Sequence, residues 1–257
     1  MLGNLRFTSL GSGSKGNALV IESQETTLLV DCGFSCKETT RRLEKKGVDP
    51  SFLDAILVTH EHRDHIFGVG RLSSELRVPV FLTSGTYKAI KNKLAFSNLV
   101  KIDNYSEFEI GDFSIQPFPV PHDAREPAQF IFSAGSSTLG ILTDLGSSTK
   151  YLEGLVAKCD GLVIECNHDV NMLRQSSYPA HLKRRVGGPL GHLSNEEASK
   201  ILKRISSRRL KNVVGAHLSE SNNTPELVLE SLESANKSGT FSVEVADQAN
   251  GFDWIEL

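Results

Sequence analysis

The stretch Thr59-His60-Glu61-His62-Arg63-Asp64-His65 follows directly on the apolar run Ala55-Ile56-Leu57-Val58, which reads with Thr59 as a buried strand. A lone histidine in a loop is usually ordinary polar surface. Here His60 and His62 alternate on an extended turn and can pinch one ion, while Asp64 and His65 come next and can point at a second. Two ions held about 3.5–4 Å apart form the usual clamp for phosphoryl or acyl hydrolysis.

Outward from that string, the same arrangement recurs. A strand ends and a metal-competent side chain follows at Val120-Pro121-His122, at Thr143-Asp144 and at Ala216-His217. Strand ends leaving one edge of a sheet can converge, and rigid elements hold ligands better than loops do. These segments supply nitrogen and oxygen donors with no obvious thiolate, a set that suits zinc, manganese or iron. A carboxylate bridging the two ions is expected, and Asp144 is the candidate.

The rest of the chain alternates short strands, turns and helices. Leu5 to Leu10, Ala18 to Ile21, Thr26 to Val30 and Leu162 to Glu165 read as strands, as does Val213 to His217. Glu107 to Val120 reads as a hairpin turning at Gly111-Asp112, and Gln129 to Thr143 as another near Gly135. Phe241 to Leu257 reads as a final hairpin around Asn250-Gly251. Ser35 and Glu38 form a capping-box pair for a helix that Gly47 ends. Further helices are expected over Gly70 to Leu76, Thr86 to Leu94, Asn195 to Ile205 and Pro225 to Ala235. Such a mixture best buries its core as two sheets face to face with helices outside, an αββα sandwich in the α/β (α+β) class. One domain covering residues 1–257 is expected, without a visible internal repeat.

Composition sets outer bounds. With 28 Lys and Arg against 31 Asp and Glu, the net charge of -3 argues against a generally basic nucleic-acid coat but leaves room for a local groove. No apolar run is long enough to cross a membrane, and the start of the chain lacks the layout of a secretion signal. Cys32, Cys36, Cys159 and Cys166 match no zinc-knuckle or redox spacing, so reduced, mostly buried thiols and a cytoplasmic location are expected.

The histidine string and its downstream partners resemble the metallo-β-lactamase superfamily over essentially the whole chain. The resemblance implies that His60, His62 and His122 hold a first metal, that Asp64, His65 and His217 hold a second, and that Asp144 bridges them. It implies that Asp31, in Leu29-Val30-Asp31-Cys32-Gly33, supports the metal loop. Gly11-Ser12-Gly13-Ser14-Lys15-Gly16-Asn17, Glu165-Cys166-Asn167-His168-Asp169, Gly191-His192-Leu193-Ser194-Asn195-Glu196, and His217-Leu218-Ser219 with Asn222-Asn223-Thr224-Pro225 are similar to the YycJ/WalJ/VicX branch. That branch implies a bacterial exonuclease acting on DNA in the 5′ to 3′ direction. Similarity to ribonuclease Z implies that Glu165 hydrogen-bonds Asp64 and tunes the attacking water, which places Asp64 and Glu165 with the catalytic groups.

The residues also favour phosphate by themselves. Ser194 and Glu197 form a capping box, so His192 stands just before a helix N-terminus, where backbone N–H groups favour an anion. His192 can hold a phosphate oxygen or protonate the leaving oxygen. His168 can touch substrate or cap the helix starting near Asp169; His181 reads as packing or surface. The loop at Ser12 can cradle phosphate or let backbone pass beneath the metal site, and the second reading is preferred. Of two basic groups, Lys183-Arg184-Arg185 lies between Glu165 and His192 and is the better backbone contact, with Arg184 its representative. The other comprises Arg204, Arg208-Arg209 and Lys211. Phe67 and Tyr178 offer aromatic faces.

The expected function is phosphodiester hydrolysis with two divalent ions, zinc or manganese by preference and iron as an option, on nucleic acid and specifically DNA. The alternatives are a small cyclic or ribose phosphate as substrate, and a metal-stabilised regulatory module without turnover. Oligomeric state is left open by the sequence.

Overall fold

A computed structural model describes residues 5–205, 209–236 and 239–257. The chain begins with three strands, β1 (Arg6–Gly11), β2 (Ala18–Glu22) and β3 (Thr27–Val30), followed by α1 (Cys36–Lys45). Next come β4 (Ala55–Leu57), the single turn α2 (Arg63–Ile66), α3 (Val69–Leu76), β5 (Pro79–Thr83), α4 (Ser84–Ile90) and β6 (Asn98–Ile102). The second half runs β7 (Phe108–Ile110), β8 (Phe113–Pro119), β9 (Ala128–Ala134), β10 (Ser137–Leu142), α5 (Lys150–Val156) and β11 (Gly161–Glu165). It continues through α6 (Val170–Gln175), α7 (Ala180–Val186), α8 (Asn195–Ile205), β12 (Asn212–Ala216) and α9 (Pro225–Glu233) to β13 (Ser242–Val245) and β14 (Phe252–Glu256).

These strands form two seven-stranded sheets, ordered β14-β1-β2-β3-β4-β5-β6 and β13-β12-β11-β10-β9-β8-β7. Each is antiparallel at one end and parallel at the other, changing over at β3 in the first and β10 in the second. Between the sheets, Phe7, Ile21, Leu28 and Leu57 meet Phe113, Phe130, Phe132 and Val163, all buried. The outer face of the first sheet packs Val20, Leu29 and Ile56 against Leu43 of α1 and Leu72 of α3. The outer face of the second packs Phe118, Leu162 and Val213 against Leu152 of α5, Ile201 of α8 and Leu232 of α9. The four-layer αββα sandwich expected from patterning is therefore the fold, because both faces of both sheets are apolar and need cover.

The final hairpin does not form. A tight turn does occur, with Asp247 and Gly251 exchanging backbone hydrogen bonds at 3.1 Å. However, β13 lies parallel to β12 in one sheet and β14 antiparallel to β1 in the other. The local turn signal is real, but free sheet edges on opposite layers capture the two flanking strands separately. Four elements lie outside those expected from the sequence: β5, β6 and α7 are short and show no clear period, while α5 does carry helical spacing in Leu152, Leu155 and Val156 behind its Thr149 cap.

Candidate metal centre

The parallel strands deliver their C-terminal ends to one edge of the sandwich, and the ligands issue from there. Asp31 follows β3, the histidine string follows β4, Asp144 and His217 follow β10 and β12, and Glu165 ends β11. Asp31, Asp144 and His217 all adopt left-handed backbone, with φ of 62°, 52° and 57°. Non-glycine residues held there cost of order 1–3 kcal/mol each, so the surrounding structure imposes a bend that aims each side chain inward.

The side chains gather into two clusters. His60 Nε2 lies 2.9 Å and His122 Nε2 3.2 Å from His62 Nδ1, which brings three imidazole nitrogens to one point. Asp64 Oδ2 lies 3.4 Å from both His65 Nε2 and His217 Nε2, making a second point. Asp144 stands between the two: Oδ1 is 3.9 Å from His122 Nε2 and Oδ2 is 3.3 Å from His65 Nε2. All seven residues named as ligands from the sequence are thus brought together, and all but His62 and Asp64 are buried.

Outer carboxylates and carbonyls fix which nitrogen faces inward. Asp31 accepts from Thr59 N at 2.9 Å, from Thr59 Oγ1 at 2.8 Å and from His65 Nδ1 at 2.7 Å, leaving Nε2 toward Asp64. Glu165 accepts from His217 Nδ1 at 2.8 Å and His192 Nδ1 at 2.7 Å through one oxygen, and from the Leu145 and Leu193 amides through the other. Burial opposes its ionisation, but the neighbouring His192 and His217 outweigh that and hold its carboxyl down at about 2. An ionised carboxylate can only accept, so both imidazoles donate from Nδ1 and His217 presents Nε2. His122 Nδ1 donates to the Gly191 carbonyl at 3.0 Å. Burial keeps His60 well below the usual imidazole range and lowers His122, so both rings favour the neutral form that can offer a lone pair to a cation.

A bound cation fits these residues. Asp144 Oδ2 and His217 Nε2 are buried at the centre with no hydrogen-bond partner, which is rare for polar atoms unless something absent from the chain satisfies them. The donors are imidazole nitrogens and carboxylate oxygens, a set chosen by divalent first-row metals.

Several expectations take a different form. Glu165 is bound to His217 and His192 where the sequence reading had it touch Asp64, so it positions two imidazoles from outside the cluster. Ser12 is buried; its hydroxyl accepts from His217 N at 2.9 Å and lies 3.2 Å from Asn17 Oδ1, in keeping with the preferred reading in which its loop supports the cluster through the backbone, while the phosphate-contact reading finds no exposed hydroxyl. Asn17 was not singled out, yet its Nδ2 lies 3.2 Å from His65 Nε2 and its amide donates to the Asp64 carbonyl at 2.8 Å. A Cβ on Gly33 would fall 1.8 Å from that carbonyl, so these loops carry the string from below. Both capping boxes are half-formed: Ser35 and Ser194 cap, but Glu38 turns to Arg41 and Arg42, and Glu197 to Lys200.

At the rim, His192 lies 3.8 Å from Asp144 and is partly exposed, and His168 is buried beside it. His181 is exposed, as expected. Arg185 pairs with Asp123 at 2.6 Å, whereas Arg184 is exposed. The other basic group is largely spent on structure: Arg204 pairs with Glu153 and Arg209 with Asp160, while Arg208 lies outside the described residues. Phe67 is exposed near the cluster with the Arg63 guanidinium 4.6 Å over its ring.

Strand-end imidazoles and carboxylates gathered at one edge of an αββα sandwich are the mark of a metal-dependent hydrolase. Residues 26–213 match the family model described as a beta-lactamase superfamily domain, and the chain belongs to that superfamily. Within it, the chain is 39% identical over 230 residues to exodeoxyribonuclease WalJ of Streptococcus pneumoniae, spanning 86% of this chain and 84% of that protein. It is 33% identical over 255 residues to exodeoxyribonuclease YycJ of Bacillus anthracis, spanning 97% and 96%. Among solved structures, the metallo-beta-lactamase fold protein YhfI from Bacillus subtilis superposes with a TM-score of 0.78 over 99% of this chain and all of that one, at 19% identity.

Proposed function

We propose that this chain is a two-metal phosphodiesterase that degrades DNA from an end, 5′ to 3′. The observation that carries the reading is Asp144, which lies within 3.9 Å of His122 in the first cluster and 3.3 Å of His65 and His217 in the second, while its Oδ2 has no hydrogen-bond partner. Likeness over most of the chain to two exodeoxyribonucleases supports DNA as the substrate. We read the three histidines His60, His62 and His122 as holding one ion, Asp64, His65 and His217 the other, and Asp144 as the bridge. Zinc or manganese suits these donors, with iron a further option.

Divalent ions in such a site supply Lewis-acid charge and an activated water. The chain's own groups do the rest. His192 donates Nδ1–H to Glu165; burial disfavours its charge, but that carboxylate outweighs burial and raises its pKa. With Nδ1 engaged by Glu165, a protonated His192 would carry its other proton on Nε2, from which it could donate to a phosphate oxygen or to the departing oxygen. Asp31, Glu165 and Asn17 hold the ligands in place. The four buried free thiols support a reducing, cytoplasmic setting, and among the described residues no helix is long and apolar enough to cross a membrane.

The test is degradation of end-labelled DNA and RNA by metal-loaded protein beside His65→Ala. Stepwise shortening of DNA by the wild type alone is expected. Cleavage of only a small phosphodiester would replace the substrate, and bound metal with no hydrolysis of any phosphoester would make the chain a regulatory module.

A further inference from the structure

Beside the metal-ligand cluster a cleft of about 370 Å³ opens between α6, α7 and the start of α8. His192 belongs to both the cluster and the cleft, so the two are continuous. Arg174 of α6 and Lys183 and Arg184 of α7 line it, with His168 beside them.

Two independent features of this cleft call for a partner that the chain does not supply, and the first calls for an anion. The first is charge without a counter-charge. Arg174 meets only the Asn171 side-chain oxygen, at 3.3 Å, and Lys183 Nζ donates to the Arg174 carbonyl at 2.7 Å. Among the described residues, no carboxylate lies within ion-pairing distance of Arg174, Lys183 or Arg184. Glu197, the one acid lining the cleft, is paired with Lys200 at 2.7 Å. The neighbouring Arg185, by contrast, is locked to Asp123. The second feature is His168, 3% exposed, whose Nδ1 has no hydrogen-bond partner. A buried imidazole nitrogen is rarely left so.

We propose that this cleft binds a second phosphate of the substrate strand, the neighbour of the phosphate at the metal-ligand cluster. The proposal rests on the phosphodiesterase reading. Two guanidinium forks suit phosphate oxygens and the ammonium adds a point charge. Because His192 joins cluster and cleft, a chain of linked phosphates can occupy both, whereas an isolated phosphodiester can occupy only one.

Calorimetric titration of the metal-loaded protein with deoxyadenosine 3′,5′-bisphosphate and with each deoxyadenosine monophosphate tests this without requiring turnover. The bisphosphate should bind at least roughly tenfold more tightly than either monophosphate, as expected for added charge-assisted hydrogen bonds. The exposed double substitution Arg174→Ala/Arg184→Ala should remove that advantage. Equal affinities in the wild type, or an advantage that survives in the variant, would overturn the proposal. A protein that shows the advantage yet leaves end-labelled DNA intact keeps the cleft and loses the exonuclease reading. One that cuts DNA without any bisphosphate advantage loses the cleft alone.

Discussion

Asp31 and Glu165 decide which nitrogen of His65 and His217 faces the cluster, although neither is expected to touch a metal. Replacing an outer carboxylate of this kind usually lowers metal affinity or activity by about 10–100-fold. Asp31→Ala and Glu165→Gln should each fall in that range while keeping a native circular dichroism spectrum, measured with metal titration beside activity. A variant with unchanged affinity would show that the imidazoles are oriented by backbone alone. The thiols give a second residue-scale prediction. Burial pushes Cys32 and Cys159 up to about 12, so neither forms appreciable thiolate at pH 8. Both should resist alkylation in the folded protein and react only after denaturation, as read by mass spectrometry.

At the scale of elements, the loops beneath the histidine string matter as much as the string. Gly33 lies against the Asp64 backbone, and any Cβ there displaces the carbonyl that Asn17 holds. Gly33→Ala should therefore bind less metal per chain without losing the fold, which elemental analysis and far-ultraviolet dichroism together would establish. Full metal content in that variant would mean the loop has slack that the packing does not suggest. Thr224, whose hydroxyl caps α9 by accepting from Leu227 N, tests ordinary helix energetics away from the site. Thr224→Ala should lower stability by about 1 kcal/mol and leave metal binding alone, as read by denaturant unfolding.

For the whole molecule, the centre concentrates buried carboxylates and imidazoles that a cation would satisfy, so metal should stabilise the folded state in which the ligands converge. Binding at a hundred times the dissociation constant adds about 2.7 kcal/mol. Chelation should lower the melting temperature and metal return should restore it; a melting point indifferent to metal would argue against a cation in this centre. The core between the sheets provides the contrast. Phe130→Ala removes a fully buried ring and should cost about 3–5 kcal/mol, reducing metal-free and metal-loaded stability alike.

The histidine string was legible by itself because its metal-competent residues are neighbours: His60, His62, Asp64 and His65 follow one strand, and their spacing carries the proposed chemistry. His122, Asp144 and His217 were legible too, since each stands just beyond a strand end where a side chain is exposed to the sheet edge. The sandwich followed from apolar periodicity, which records how many faces each element must bury. Only the tertiary structure decided what those strands pair with. It sent β13 and β14 to opposite sheets across a turn that looked like a hairpin. It gave both sheets the same antiparallel-to-parallel layout without a visible sequence repeat, because layout is set by strand pairing and leaves residue identity free. It also moved Glu165 away from Asp64 to His217 and His192, and it chose the His217 backbone as the partner of the Ser12 hydroxyl. A hydrogen-bond partner is fixed by distance and direction in space, and residues 52 or 205 positions apart in the chain carry no local signal of having met.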